Sequence, residues 1–152
     1  MTTDTGAPLN AQRDIFISAP LENVWLQLTE IDRWHEWQPD VTSSKIFGKL
    51  KAGTVFKWKA KGLNITSIIK EIVPMQMIGW TGESLGMQAV HIWLLESRKD
   101  GTQVTTRESL SGWLAKLLKL FDPGFLEKSL AASLQVLKNQ AEGKIPEKQG
   151  SL

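Results

Sequence analysis

The segment from Met87 to Ser111, MQAVHIWLLESRKDGTQVTTRESLS, carries the clearest structural signal in the sequence. Apolar and polar residues alternate along both of its halves, and β-branched residues are frequent, which indicates two strands near 86–96 and 102–111. The segment SRKDG (97–101) between them contains charged residues and a glycine, so it predicts a short loop. Because a short loop joins antiparallel neighbours, we predict a β-hairpin here.

The position of the loop also predicts the register of this hairpin. With SRKDG as the loop, Ser97 lies opposite Thr102, and the same register places His91 opposite Glu108. Residues directly opposite each other share one side of a sheet. The more apolar side is the better candidate for the interior, and it carries Ala89, His91, Trp93, Leu95, Val104, Thr106, Glu108 and Leu110.

A histidine opposite a glutamate on an apolar face is the main chemical feature of the sequence. A buried carboxylate is costly unless it is paired, and pairing is expected to keep Glu108 ionised and to favour the imidazolium of His91. The pair could simply anchor two strands. Alternatively, it could be a polar group at the floor of an apolar cavity, where it holds a ligand hydroxyl or carbonyl or moves a proton.

The remaining elements follow from the same periodicities. Before the hairpin, the sequence predicts further strands near 12–18, 41–47, 54–60, 63–73 and 75–82. Two short helices, APLENVWLQLTE and IDRWHEWQPD, follow the first strand, and helical spacing returns after Ser111 in WLAKLLKLF. A long helix then runs to about Ala141, after a break at Asp122-Pro123-Gly124 that could be either a gate or an ordinary turn.

This order predicts an α+β fold with a seven-stranded antiparallel sheet that wraps around the long C-terminal helix. We expect a loose N-terminus over residues 1–11, a single domain over 12–142 and a polar tail over 143–152.

The segment GESLG (82–86) matches the G-x-S-x-G pattern of serine hydrolases. In those enzymes the serine lies between a strand and a helix, and a histidine follows an acid later in the chain. Here the segment after Gly86 alternates as a strand does, and His91 is the last histidine. We therefore interpret GESLG as a hairpin connection and not as a nucleophile site.

Composition narrows the class of protein further. The net charge is +2, and Lys57, Lys59 and Lys61 alternate with apolar residues as on the wet face of a strand, so we expect no nucleic-acid partner. The sequence has no cysteine, signal peptide or apolar run of about 20 residues, which favours a cytoplasmic protein without stable membrane insertion. We expect no metal and no cofactor, and either a monomer or a homodimer.

Several segments together resemble the polyketide cyclase/dehydrase branch of the START-related (SRPBCC) superfamily. They are IFISAPLENVWLQLTEIDRWHEWQPDV, GKLKAGTVFKW, IKEIVPMQMIGWTG, HIWLLE and GTQVTTRESLSGWL, and they span about residues 12–142. The resemblance implies a helix-grip (START-like) fold with an apolar cavity between the sheet and the last helix. Members of this superfamily carry lipids, sterols or plant hormones, and some cyclise or dehydrate polyketides. No catalytic residue can be transferred by motif.

The first functional hypothesis is a protein that binds or transports a small hydrophobic ligand such as a lipid, a sterol or a polyketide. Seven tryptophans and no tyrosine are consistent with an apolar pocket, although they could equally fill the core. The candidate lining residues are Trp25, Trp34, Trp37, Phe56, Trp58, Ile78, Trp80, His91, Trp93, Glu108, Leu117, Phe121 and Phe125.

Two alternatives use the same fold. One is a cyclase or dehydratase in which His91 is the acid/base and Glu108 orients it. The other is a co-chaperone-like interaction module.

Overall fold

Seven antiparallel strands form one sheet in the computed structural model, which describes residues 1–143. Apart from Gly143, the predicted polar tail lies outside the described residues. The strands are β1 (Leu9–Ile17), β2 (Val41–Phe47), β3 (Val55–Ala60), β4 (Leu63–Val73), β5 (Met77–Ser84), β6 (Met87–Arg98) and β7 (Gly101–Ser111). Their order in the sheet is β1-β7-β6-β5-β4-β3-β2, so each strand from β2 to β7 lies beside its neighbour in sequence.

The helices are α1 (Leu21–Thr29), α2 (Trp34–Trp37), α3 (Trp113–Phe121) and α4 (Phe125–Ala141), with a 3₁₀ turn at Ile31–Arg33. Helix α1 begins directly after Pro20, whose ring presets the backbone for a first turn. Helix α4 buries one stripe at helical spacing, made of Leu126, Leu130, Leu134 and Leu137. Together with the sheet, these elements confirm the predicted helix-grip α+β fold.

The predicted register of the β6–β7 hairpin is confirmed. Ser97 lies opposite Thr102, and His91 lies opposite Glu108. The turn is shorter than predicted, because Arg98 still pairs with Gly101 and leaves only two residues between the strands. One of them, Asp100, has φ 67°, a left-handed conformation that aspartate tolerates better than most residues.

The GESLG segment is a hairpin connection, as interpreted. Ser84 ends β5 and pairs with Met87 of β6, so that Leu85 and Gly86 form the turn. Gly86 has φ 73°, which favours glycine. His91 lies opposite Trp80, four residues and about 13 Å along β5 from Ser84.

The N-terminal boundary of the sheet differs from the prediction. Strand β1 begins at Leu9, three residues before the predicted Gln12, and Leu9 is buried. Asn10 and Ala11 have little strand preference of their own, so the sequence alone did not indicate this part of the strand. The expected loose segment is therefore shorter than residues 1–11, and even Asp4 contacts the sheet through its amide, which donates to Ser109 Oγ at 3.0 Å.

The position of α4 explains why the interior is not filled. Helix α4 packs mainly against β1 and α1 and less closely against β7. It therefore lies toward one side of the curved sheet. The inner faces of the strands farther from β1 carry aromatic side chains and border a cavity.

We predict that Gly101→Ala destabilises the protein, because a methyl group at Gly101 would collide with the carbonyl oxygen of Ile17 in β1 and with the Phe16 ring. The expected loss is about 1–3 kcal/mol in the free energy of unfolding, measured by urea denaturation. Gly124→Ala is the matched control, since its methyl would meet only Lys128 Cε at 3.8 Å. Equal effects of the two substitutions would contradict the close approach of β1 to β7.

Candidate ligand-binding cavity

A cavity of about 360 Å³ lies between the inner face of the sheet and α4. The sheet contributes Trp58, Ile65, Ser67, Trp80, Gly82, Ser84, Met87, Ala89, His91, Trp93, Glu108 and Leu110 to its lining. Helix α4 contributes Phe125, Leu126, Ser129, Ala132, Ser133, Val136 and Leu137. The lining is mostly apolar, which is typical of sites for small organic ligands.

A row of aromatic rings forms one wall of the cavity. The Trp34 ring centre lies 5.2 Å from that of Trp58 and 5.5 Å from that of Trp80. From Trp80 the row continues to His91 at 5.3 Å, and His91 stacks on Trp93 at 5.1 Å. The Trp34 indole is fixed by its Nε1–H, which donates to Leu28 O at 3.0 Å. The wall is thus a set of rings in mutual contact, one of which is also held by a hydrogen bond.

The predicted His91–Glu108 juxtaposition is present, but it is not a direct hydrogen bond. His91 Nδ1 lies 3.6 Å from Glu108 Oε2, beyond hydrogen-bond distance. The other ring nitrogen, Nε2, lies 2.7 Å from Thr106 Oγ1. The Thr106 hydroxyl donates to Ile92 O, so its oxygen accepts from His91 Nε2–H. This assigns the proton of a neutral His91 to Nε2 and leaves Nδ1 facing Glu108.

Burial controls the protonation of both groups. It lowers the pKa of His91 to about 3 and raises the pKa of Glu108 to about 8, and the positive charge of Lys61 opposes the second shift. The side chains keep only 10% and 16% of their exposure, and both line the cavity. The expected ion pair of carboxylate and imidazolium is therefore wrong. At neutral pH a carboxylic acid faces a neutral imidazole, because the cost of desolvating two charges exceeds their attraction at 3.6 Å.

A second polar group lies in the cavity wall. Trp93 is 5% exposed, and its Nε1–H has no hydrogen-bond partner. Every other side-chain nitrogen or oxygen that is buried as deeply in residues 1–143 has a partner. An unpaired buried donor costs about 1–3 kcal/mol.

The mouth of the cavity is marked by the lining residues that keep solvent exposure, which include Pro39, Asp40, Lys61 and Ala132. Lys61 lies in the β3–β4 turn with φ 52°, and its amide donates to Asp40 O at 3.1 Å. Its ammonium group donates to Ser129 Oγ at 3.3 Å and lies 4.9 Å from the centre of the Phe125 ring. Lys61 thus connects the turn to α4 across the mouth.

Eight of the thirteen candidate lining residues line the cavity: Trp34, Trp37, Trp58, Trp80, His91, Trp93, Glu108 and Phe125. Trp25, Phe56 and Ile78 belong instead to the buried core. Phe56 packs edge-on against Trp34 and Trp80, and those two rings face the cavity in its place. Leu117 and Phe121 are also outside the cavity, at 43% and 79% exposed.

The sequence did not indicate Lys61, Ser129 or Ser133 as lining residues. Lys61 was expected on the wet face of β3, but the strand ends at Ala60 and the turn redirects the side chain toward α4. A signal was present in Lys61-Gly62, a pair suited to a left-handed turn. The serines of α4 carried no such signal, because small polar residues are also common on solvated helix faces.

Comparison with known proteins identifies the family. The family described as polyketide cyclase / dehydrase and lipid transport matches residues 8–142. The chain therefore belongs to this family, within the START-related superfamily. No curated protein matches the chain by sequence.

Solved structures share the fold. The hypothetical protein jhp0584 from Helicobacter pylori is 20% identical, with a TM-score of 0.79 and 90% of each chain covered. The Zhui aromatase/cyclase from Streptomyces sp. R1128 is 14% identical, with a TM-score of 0.75, and the alignment covers 88% of this chain and 93% of that one. The di-domain aromatase/cyclase BexL is 19% identical, with a TM-score of 0.73, and the alignment covers 91% of this chain and 52% of BexL.

Two further findings concern metals and membranes. Within residues 1–143, no group of three or more His, Asp or Glu side chains is placed to hold a metal ion. No helix in the same range combines the length and the apolar character needed to cross a membrane.

The pKa shifts predict how stability depends on pH. The unfolded chain titrates Glu108 near pH 4.5 and the folded protein near pH 8, so stability falls as the pH rises between these values. For His91 the dependence of stability on pH has the opposite sign, since its folded pKa is lowered. Its contribution to stability is lost as the pH falls from 6.5 toward 3. The two slopes oppose each other between pH 4.5 and pH 6.5.

Above pH 6.5, Glu108 therefore acts alone. Between pH 6.5 and pH 8, the free energy of unfolding should decline by roughly 1 kcal/mol per pH unit. In Glu108→Gln the decline should disappear, and in the exposed control Glu96→Gln it should persist. Urea denaturation at both pH values measures the difference. A decline that Glu108→Gln retains would show that another group is responsible.

Proposed function

We propose that the protein binds a small hydrophobic molecule that carries a hydrogen-bond acceptor such as a ketone. The observation that carries this proposal is an apolar cavity of about 360 Å³ with the Glu108 carboxyl in its wall. The volume is near the lower end of the range of about 300–1,000 Å³ that drug-sized ligands occupy. Membership of a family described by cyclases, dehydrases and lipid transport supports a ligand of this class.

Glu108 supplies the polar contact. With its pKa raised to about 8, its carboxyl is protonated at neutral pH and can donate a hydrogen bond. The 3.6 Å gap to His91 leaves that proton available to a guest molecule. A neutral donor in an apolar wall selects ligands with an acceptor, and it also disfavours a ligand that brings a buried charge without a partner.

We expect Glu108→Leu to weaken the binding of 2-acetylnaphthalene by about tenfold, the loss of one buried hydrogen bond. The binding of 2-ethylnaphthalene, which has a similar shape and no acceptor, should be unchanged or slightly tighter. In the parent protein the affinity for the ketone should also fall as the pH rises through about 8, because a carboxylate cannot donate. Calorimetric titration measures all three. Equal effects on the two ligands would contradict the role of Glu108.

A second pair of variants tests whether these ligands occupy the cavity at all. Ser133 lines the cavity, so Ser133→Trp should fill part of it and abolish the binding of both ligands. Gln135 is exposed on the same helix and outside the lining, so Gln135→Trp should leave binding unchanged. Binding that survives Ser133→Trp would place the ligands elsewhere.

A second candidate function is a dehydratase or cyclase in the same cavity. The observation in its favour is a neutral carboxylic acid beside an unprotonated imidazole nitrogen. The roles differ from those expected from the sequence. An imidazole with a pKa of about 3 is a poor base, so Glu108 would give its proton to the hydroxyl that leaves as water. The Glu108 carboxylate left behind would then take the proton from the carbon between the hydroxyl and the ketone, which forms the enone and restores the carboxylic acid.

The two functions separate with a β-hydroxy ketone such as 4-hydroxy-4-phenylbutan-2-one, whose loss of water forms an enone that absorbs in the ultraviolet. An enzyme should accelerate enone formation, and Glu108→Gln should reduce the rate at least about a hundredfold. A binding protein should bind the ketone without accelerating the reaction. Acceleration that Glu108→Gln retains would exclude Glu108 as the acid.

A further inference from the structure

Helix α3 presents three distinct faces. Leu114, Ala115 and Leu118 face the protein and pack in a cluster of apolar side chains that also contains Leu126 and Leu130 of α4. Trp113, Leu117, Leu120 and Phe121 recur at helical spacing on another face and are exposed. The third face carries Lys116 and Lys119. A helix of this kind has more apolar surface than its own protein covers.

The exposed apolar face of α3 lies beside the turn that carries another exposed leucine, Leu85. Leu85 lies in the β5–β6 turn, where the Trp113 ring packs against Gly86 and the amide of Leu114 donates to Gly86 O at 3.0 Å. We call Leu85, Trp113, Leu117, Leu120 and Phe121 the α3 ridge. Their exposed fractions reach 79% for Phe121, 75% for Leu85 and 74% for Leu120. The most exposed large apolar side chains of residues 1–143 are thus all in this ridge.

The charged residues of α3 have one sign. Helix α3 contains no acidic residue, and within the described chain neither Lys116 nor Lys119 forms an ion pair. The nearest acid in sequence, Asp122, is paired with Lys128 at 2.9 Å. A cationic edge beside an apolar helix face is the pattern of helices that lie in the surface of an anionic membrane.

The C-terminal end of the ridge is four residues from the cavity lining. Helix α3 ends at Phe121, and Phe125, which begins α4, lines the cavity beneath the Lys61 ammonium group.

We propose that the α3 ridge docks on the surface of an anionic phospholipid bilayer. The ridge enters the boundary between headgroups and acyl chains, and Lys116 and Lys119 contact the lipid phosphates. The attachment is peripheral, since α3 has nine residues and cannot span a bilayer. A second copy of the chain fits less well, because a symmetric contact through the ridge would bring the lysines of both copies together. The inference goes beyond the proposed function and does not depend on the ligand.

The test is flotation of the full chain with vesicles of phosphatidylcholine alone and of phosphatidylcholine with 30% phosphatidylglycerol. We expect binding to the anionic vesicles only, weakened by added salt. Leu120→Glu should reduce the partition coefficient at least about tenfold. Leu26→Glu, which changes an exposed leucine on α1, should have no effect. In the double variant Lys116→Gln and Lys119→Gln, the partition coefficient should fall about fivefold for each lysine replaced.

Several results would overturn the proposal. They are no binding to anionic vesicles, equal binding to neutral ones, or equal losses in Leu120→Glu and Leu26→Glu. A further contradicting result could come from size-exclusion chromatography with light scattering, which measures the oligomeric state. A dimer that Leu120→Glu dissociates would assign the ridge to a protein interface instead of a membrane.

Discussion

The pairing register of β6 with β7 is the constraint on which the site depends. Successive residues of a strand point to opposite faces, so a slip of one residue would exchange the two faces of a strand. The observed register sends His91, Trp93 and Glu108 inward together. A turn of only two residues fixes it, and β1 holds β7 from the other side over nine paired residues. The backbone pairing therefore determines which side chains face the site.

Desolvation determines the protonation states of the two side chains that this register brings together. The same two side chains in water would carry opposite charges at about pH 5–6, whereas inside the protein neither does at neutral pH. The difference arises because residues 1–143 supply one hydrogen-bond partner to the imidazole, Thr106, and none to the carboxyl that would stabilise its charge. The site thus offers a guest a neutral donor in an apolar, aromatic surrounding.

Much of the fold and part of the site could be predicted from the sequence. Period-two alternation indicates the strands, and the SRKDG loop places His91 opposite Glu108, because local backbone geometry controls both. The protonation states could not be predicted, since they depend on how completely the surrounding elements exclude water. The places of Phe56 and Ile78 could not be predicted either, because an inward-facing apolar residue can belong to the core or to a cavity wall. Both belong to the core. Helical spacing likewise does not determine which apolar face of α3 is covered. For this reason the sequence predicts Leu117 and Phe121 in the cavity lining, whereas both are exposed on the surface.

The position of Lys61 has a consequence for kinetics. Its backbone is fixed by Asp40, and its ammonium group contacts Ser129 and Phe125, so one residue joins three segments around the opening. Each contact lies close to solvent, and a ligand that entered between the β3–β4 turn and α4 would require them to separate and re-form. For the ligand proposed above, Lys61 would therefore affect the rate of exchange more than the affinity. The affinity of such a ligand would depend on the sheet, and its rate of exchange on a single turn.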